Sequence, residues 1–214
     1  GDHMLEKGLF ITFEGPDGSG KTTISKNVYQ RLFDEGYDVI YTREPGGIEI
    51  AEQIRRVILD PKNTAMDCKT EALLYAASRR QHLVEKIVPA LNKHQIVICD
   101  RFVDSSLVYQ GIARNIGIDE VYSINKFAID DYLPDMTIYL DISADEGLKR
   151  ISDRLDKDRL DREDLSFHTE VVKGYQKIME MFKERYTIIN AMQDIEKITD
   201  EAYAKVVELV DKYV

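Results

Sequence analysis

Short β-rich apolar runs alternate along this chain with longer stretches in which apolar residues return every third or fourth position. The short runs predict buried strands, and the longer stretches predict helices with one apolar stripe. Residues 9–13, Leu-Phe-Ile-Thr-Phe, form the first such strand. Ile24, Val28 and Leu32 then predict a helix that Gly36 stops. A second strand over 38–42 runs into Arg43-Glu44-Pro45-Gly46-Gly47, a loop by its Pro-Gly-Gly content. Ile50, Ile54, Val57 and Ile58 mark a helix ending before Pro61, and a longer helical stretch follows over 69–91. A strand at 95–99 delivers Asp100 and Arg101 to its carboxyl end. Further on come a helix at about 119–132, a strand at 136–142 and a helix opened by Ser143 and Glu146 at capping-box spacing. A strand at 186–190 and a closing helix with Ala202, Val206, Val210 and Tyr213 on one face complete the pattern.

Strands interleaved with helices imply a parallel sheet covered on both sides. No repeat, low-complexity segment or linker divides it, so the 214 residues read as one large domain or a domain with insertions. In such sheets ligands sit at the carboxyl ends of the strands. That rule gathers residues 15–22, Arg43, Asp100 and Arg101 on one rim. With 43% hydrophobic and 32% charged residues the chain has the composition of a soluble globular protein. A net charge of −10 argues against sequence-independent nucleic-acid binding, while leaving room for a local basic pocket. No apolar run approaches the ~18 residues of a membrane span, so no membrane partner is expected. Cys68 and Cys99 lack metal-ligand spacing; a disulfide stays open, with reduced thiols in a cytoplasmic protein the favoured reading. Gly1-Asp2-His3-Met4 reads as an expression-vector remnant, making 1–7 a tail ahead of a single domain over 8–214.

The chemistry concentrates in Gly15-Pro16-Asp17-Gly18-Ser19-Gly20-Lys21-Thr22, which fits the phosphate-loop pattern at every fixed position, between a strand and a helix. Glycines let backbone N–H groups curl around a polyphosphate, and the helix start adds free donors and the positive end of its dipole. Lys21 reaches the β- and γ-phosphates of a nucleoside triphosphate, and the Thr22 hydroxyl is placed to ligate Mg²⁺. Elsewhere Tyr75 and Arg79 lie four apart, hence on one helix face, as stacking on a base beside a guanidinium requires. A core-edge tyrosine beside a surface arginine is the plainer alternative. Asp104-Ser105-Ser106, with Gln110-Gly111, offers hydroxyl and amide hydrogen bonds, or is a polar loop.

Taken together, Phe13–Thr23, Thr42–Gly47 with its Arg-Glu-Pro-Gly-Gly, Ala76-Ala-Ser-Arg-Arg80, Asp100-Arg101, and Asp104-Ser-Ser with Tyr109-Gln-Gly111 resemble the thymidylate kinase family. The similarity runs from about Leu9 to the closing helix. It implies a P-loop NTPase three-layer α/β/α fold with a five-stranded parallel sheet and a lid. It also implies ATP- and Mg²⁺-dependent phosphorylation of dTMP to dTDP by a cytoplasmic homodimer. By position, 15–22 with Thr23 would hold ATP, and Thr22 and Asp100 the metal. Tyr75 would stack on thymine, Arg79 bind its edge, and Ser106 and Gln110 complete the base pocket. Arg43, Arg55 and Arg101 would face the dTMP phosphate, and Asp17 would accept a hydrogen bond from the sugar 3′-hydroxyl.

Position 75 is phenylalanine in some relatives, and Ile48-Glu49-Ile50-Ala51 is more acidic and apolar than the resemblance leads one to expect. Some relatives also carry an arginine after the acidic residue of the loop, where this chain has Gly18. The chain therefore resembles a second subgroup that supplies arginine from a lid, here at about 152–163, with Arg154 and Arg159 as candidates and Arg162 behind them. A solvated, salt-bridged helix end is the alternative for such a charge run. Other readings are a kinase for dUMP or another pyrimidine monophosphate, and a non-catalytic nucleotide-binding module. A GTPase-like switch is disfavoured because Asn125-Lys126-Phe127-Ala128 lacks the aspartate of a guanine-reading element. Apolar residues on helices around 73–88 and 119–133 would serve equally as a dimer interface or as core.

Overall fold

Alternation along the central strands decides where the helices lie. The computed structural model describes residues 4–154 and 157–214. Most of the predicted vector remnant (1–3) and part of the predicted lid (155–156) lie outside the described residues. Strands β1 (Leu9–Glu14), β2 (Val39–Arg43), β3 (Ile96–Asp100), β4 (Met136–Asp141) and β5 (Tyr186–Asn190) form one parallel sheet in the order β2-β3-β1-β4-β5. The helices are α1 (Lys21–Asp34), α2 (Glu49–Leu59), α3 (Cys68–His82), α4 (Val88–Asn92), α5 (Val103–Ser106), α6 (Ile118–Ile129), α7 (Ala144–Ser152), α8 (Leu165–Met181) and α9 (Ile195–Asp211). Single π-helical segments, Leu83–Ile87 and Leu107–Ala113, extend α3 and α5.

Ile11 and Phe13 of β1, Ile96 and Ile98 of β3, and Ile138 and Leu140 of β4 point to one face, where they pack with Val28 and Leu32 of α1 and Val206 and Val210 of α9. Phe10, Val97 and Cys99 point to the other face and meet Ile87, Ala128 and Ile129. A further cluster joins Leu107, Val108, Tyr139, Val171 and Tyr175 at the α8 end of that face. The period of two therefore builds two buried faces, as an all-parallel sheet requires. Strand β1 lies between β3 and β4, so the loop after it opens into the crevice where the chain order reverses. Ser143 caps α7 by accepting from the Glu146 N–H at 3.2 Å, the predicted cap.

The expected elements are present, with ends displaced by a few residues. The 103–113 segment, where the sequence offered a polar loop, is helical. Its polar groups are buried and bonded to other elements, so it shows no polar outer face: Ser105 to Glu14, Ser106 to Arg79, Asp104 to Arg185. Helix α6 stops at Ile129, short of the expected 132, where Asp130 turns to φ 55°.

Candidate active site

Gly20 caps α1 in a left-handed conformation (φ 87°, ψ 12°), which turns the chain from the loop into the helix and sets Lys21 at its first position. Gly18 is also left-handed (φ 83°), and a Cβ there would lie 2.3 Å from the Gly147 carbonyl oxygen. A Cβ on Gly147 would in turn lie 2.5 Å from the Asp17 carbonyl oxygen. The loop and α7 thus touch backbone to backbone, and an arginine at position 18 would displace the helix. Arg150 fastens the same junction, donating to the Gly18 carbonyl at 3.1 Å and the Ala191 carbonyl at 3.4 Å.

A cavity of about 360 Å³ opens beside Lys21 and runs to Tyr75 and Gln110. Of the predicted site residues, Asp17, Lys21, Thr22, Arg43, Arg55, Tyr75, Asp100, Arg101, Gln110 and Arg154 line it. The Thr22 hydroxyl donates to Asp100 Oδ2 at 2.6 Å. Asp100 Oδ1 is buried and has no hydrogen-bond partner among the described residues, an arrangement that asks for a cation or water. Burial and the nearby Arg101 charge draw the Lys21 ammonium down to about 8, against the pull of Asp100, Asp17 and Glu14.

Arg101 occupies the left-handed region (φ 73°), unusual for so large a side chain and a place where structure around it must hold the backbone. Its guanidinium donates to Ser105 at 2.9 Å, Tyr175 at 3.0 Å, Tyr109 at 3.0 Å and Asp17 at 3.2 Å. Tyr109 also donates to Asp17 at 3.1 Å. Burial alone would raise the Asp17 carboxyl, but Arg101, Lys21, His168 and the Tyr109 hydroxyl together hold it below the usual carboxylate range. Burial pushes the buried Glu14 carboxyl up, while it accepts from Ser105 and, at 2.8 Å, from Tyr175. Glu14, Ser105, Tyr109 and Tyr175 belong to this arrangement without having been singled out from sequence. Glu14, Ser105 and Tyr109 each lie within a motif quoted from the sequence, without a role given to them individually, and Tyr175 lies in none.

Arg55 reaches across the mouth of the cavity to donate to the Pro45 carbonyl at 2.8 Å, and half-exposed Arg43 pairs with Glu52. Tyr75 is buried with its ring on the cavity wall, its hydroxyl pushed up to about 12 by burial.

Three expected contacts are placed elsewhere. Arg79 is 2% exposed and lies behind the wall, donating to Glu44 at 2.7 Å, Ser106 at 2.9 Å, Asn125 at 2.5 Å and the Phe102 carbonyl at 3.2 Å. Four of its five N–H donors are bonded to protein, and Ser106 is turned toward it rather than into the cavity. Arg159 is likewise outside the cavity lining, paired with buried Glu71 and donating to the Ile58 carbonyl at 2.8 Å. Arg154 faces the cavity and holds Asp161 at 3.3 Å, with Asp158 and Leu160 beside it. Arg162 is exposed and donates to the Lys157 carbonyl.

Comparison with known proteins agrees with this geometry. Residues 13–202 match the family model described as thymidylate kinase. The chain is 58% identical over 207 residues to a thymidylate kinase of Bacillus velezensis, covering 96% of this chain and 98% of that protein. It is 57% identical over 199 residues to a thymidylate kinase of Clostridium novyi, covering 92% and 97%. The crystal structure of thymidylate kinase from Ehrlichia chaffeensis superposes with a TM-score of 0.77 at 33% identity, over 94% of this chain and 98% of that one. A phosphate loop at the switch point of a five-stranded parallel sheet, facing a cavity ringed by arginines, and relatives matched over nearly their whole length lead to one conclusion: this chain belongs to the thymidylate kinase family.

Proposed function

We propose that the protein divides the family reaction, ATP-dependent phosphorylation of dTMP to dTDP, between a donor grip at 15–22 and an acceptor pocket walled by Arg55, Tyr75, Arg101 and Gln110. The observation that carries this reading is the continuity of one cavity from Lys21 to Tyr75. Backbone amides of the loop and Lys21 hold the donor phosphates. Tyr75 offers a stacking face, Gln110 an amide for a base edge, Asp17 an acceptor for the sugar 3′-hydroxyl, and Arg43, Arg55 and Arg101 the charge for a monophosphate. Arg79 and Ser106 support this pocket from behind.

The bond between the β- and γ-phosphates of ATP breaks, a phosphate oxygen of dTMP takes the phosphoryl group, and ADP leaves. Little covalent help is needed, so positioning and cations around the moving group do the catalysis. Thr22 and the unpartnered Asp100 oxygen fit Mg²⁺, an ion that keeps waters and takes substrate phosphates as ligands. Held there by Thr22 and Asp100, it would neutralise part of the phosphates' charge. Between the two lid arginines, Arg154 is the transfer residue and Arg159 the tether. Arg154 is half-exposed, lines the cavity and reaches Asp161 only through long contacts of 3.3 and 3.4 Å, whereas Arg159 is largely buried, paired with Glu71 and bonded to the Ile58 carbonyl outside the cavity.

The same proposal extends to a cytoplasmic homodimer. Exposed Leu73 lines a small, mostly apolar cleft of about 140 Å³ with Ala72, Ile116, Val121 and Ile124, edged by Lys69 and Glu120, and Val84 and Phe127 are also exposed, which suits a face for a second copy. No helix among the described residues is long and apolar enough to cross a membrane.

A coupled assay of ADP release with ATP and a panel of monophosphates tests the acceptor assignment. dTMP is expected to be best, and dUMP poorer by about 10- to 100-fold, since one methyl group is worth ~1–3 kcal/mol. Purine monophosphates should fail, and their turnover at the dTMP rate would contradict the reading.

A further inference from the structure

His168, on the first turns of α8, is 2% exposed, yet neither ring nitrogen has a hydrogen-bond partner among the described residues. Buried polar groups rarely stay unpaired, because the lost solvation is not recovered. The acidic partner within reach of its Nδ1 is Asp17 Oδ2, at 3.9 Å. That is too long for a hydrogen bond and short enough for a displacement of about 1 Å to make one. The same Asp17 oxygen already accepts from Tyr109, while Arg101 holds the other. Helix α8 follows the charged segment that carries Arg154 and Arg159, and its cap, Asp164, accepts the Phe167 N–H at 3.1 Å. The His168 backbone N–H donates to the Asp164 carbonyl at 3.2 Å, so His168 sits in the first turn of α8, directly after that segment.

We propose that His168 is a positioning residue for sugar recognition: with dTMP bound, its Nδ1–H donates to Asp17 Oδ2 and fixes the carboxylate for the sugar 3′-hydroxyl. This rests on the reading above that Asp17 accepts that hydroxyl. Asp17 then has donors from three sides, namely Arg101 at the end of β3, Tyr109 in the π-helical segment and His168 on α8. A histidine that merely fills space would be indifferent to the substrate's 3′ position.

The test compares dTMP with its 3′-deoxy analogue in steady-state kinetics of wild type, His168→Phe, His168→Asn and Asp17→Asn. His168→Phe should lose about 10-fold in kcat/KM for dTMP, chiefly through KM, the scale of one hydrogen bond to a charged group. It should lose less than about 2-fold for the 3′-deoxy analogue, with KM for ATP unchanged. His168→Asn, whose side-chain N–H sits near the Nδ1 position, should recover most of the loss. Equal losses on both substrates would overturn the proposal. If Asp17→Asn discriminates between the substrates and His168→Phe does not, the proposal fails while the Asp17 reading stands. If Asp17→Asn does not discriminate either, both fail. Should His168→Phe not fold, ¹⁵N NMR of the wild-type imidazole decides. Nδ1 should move toward a hydrogen-bonded shift with dTMP and less with the analogue, and an unmoved resonance would overturn the assignment.

Discussion

Lys21 must carry a charge where burial opposes it, and that conflict is measurable. Its ammonium is drawn down to about 8, from an ordinary value of 10.5. Between those two pH values the unfolded chain keeps the proton and the folded protein releases it. Stability of the nucleotide-free protein therefore rises with pH across that window, and below it the buried charge is carried at full cost. A bound polyphosphate reverses the balance by favouring the charged form. ATP binding at about pH 9 should accordingly take up about one proton, read by calorimetry in buffers of different ionisation enthalpy. Lys21→Met should abolish the uptake and lower kcat on the order of 10³-fold or more, while nucleotide-free melting at neutral pH holds or rises. No proton uptake by the wild type would contradict the charge assignment.

Among the elements, the segment between α7 and α8 separates two arginines that look alike in sequence. Arg154→Ala should lower kcat by about 10³-fold and leave KM for dTMP within a few fold, because it acts on the moving phosphoryl group. Arg159→Ala should lower kcat less and instead raise ADP release in the absence of any monophosphate, since a loosened segment admits water. Steady-state ADP release with and without dTMP measures both, and identical profiles for the two variants would remove the distinction. The period-four stripes of α1 and α9, the strand alternation and the Ser143 cap were all legible because each is written in local spacing. The helix over 103–113 was harder to read, since its polar residues are satisfied by Glu14, Arg79 and Arg185, far off in sequence. Arg79 shows the same limit. Its place on the Tyr75 face of α3 was readable, but Glu44 and Asn125, which hold it, lie 35 residues before and 46 after. His168 gave no sequence sign, because a lone histidine in a helix has no motif.

Over the whole molecule, a chain with net charge −10 keeps Arg43, Arg55, Arg101, Arg154 and Lys21 around one crevice. Asp17, Glu44, Asp100, Asp158 and Asp161 line the same crevice, so it offers a nucleotide cations at particular points rather than a bulk positive field, while the acidic exterior disfavours other polyanions. The fold supplies the place, since the switch point beside β1 brings the loop, the ends of β2 and β3, and α3 to a common rim. A structure of the complex with dTMP and a non-hydrolysable ATP analogue is the most direct test. It should show the triphosphate wrapped by 15–22, thymine on the Tyr75 ring, the monophosphate on Arg55 and Arg101, and Arg154 turned from Asp161 toward the phosphates. An empty cavity beside Tyr75, or a monophosphate bound away from Arg55 and Arg101, would contradict the account.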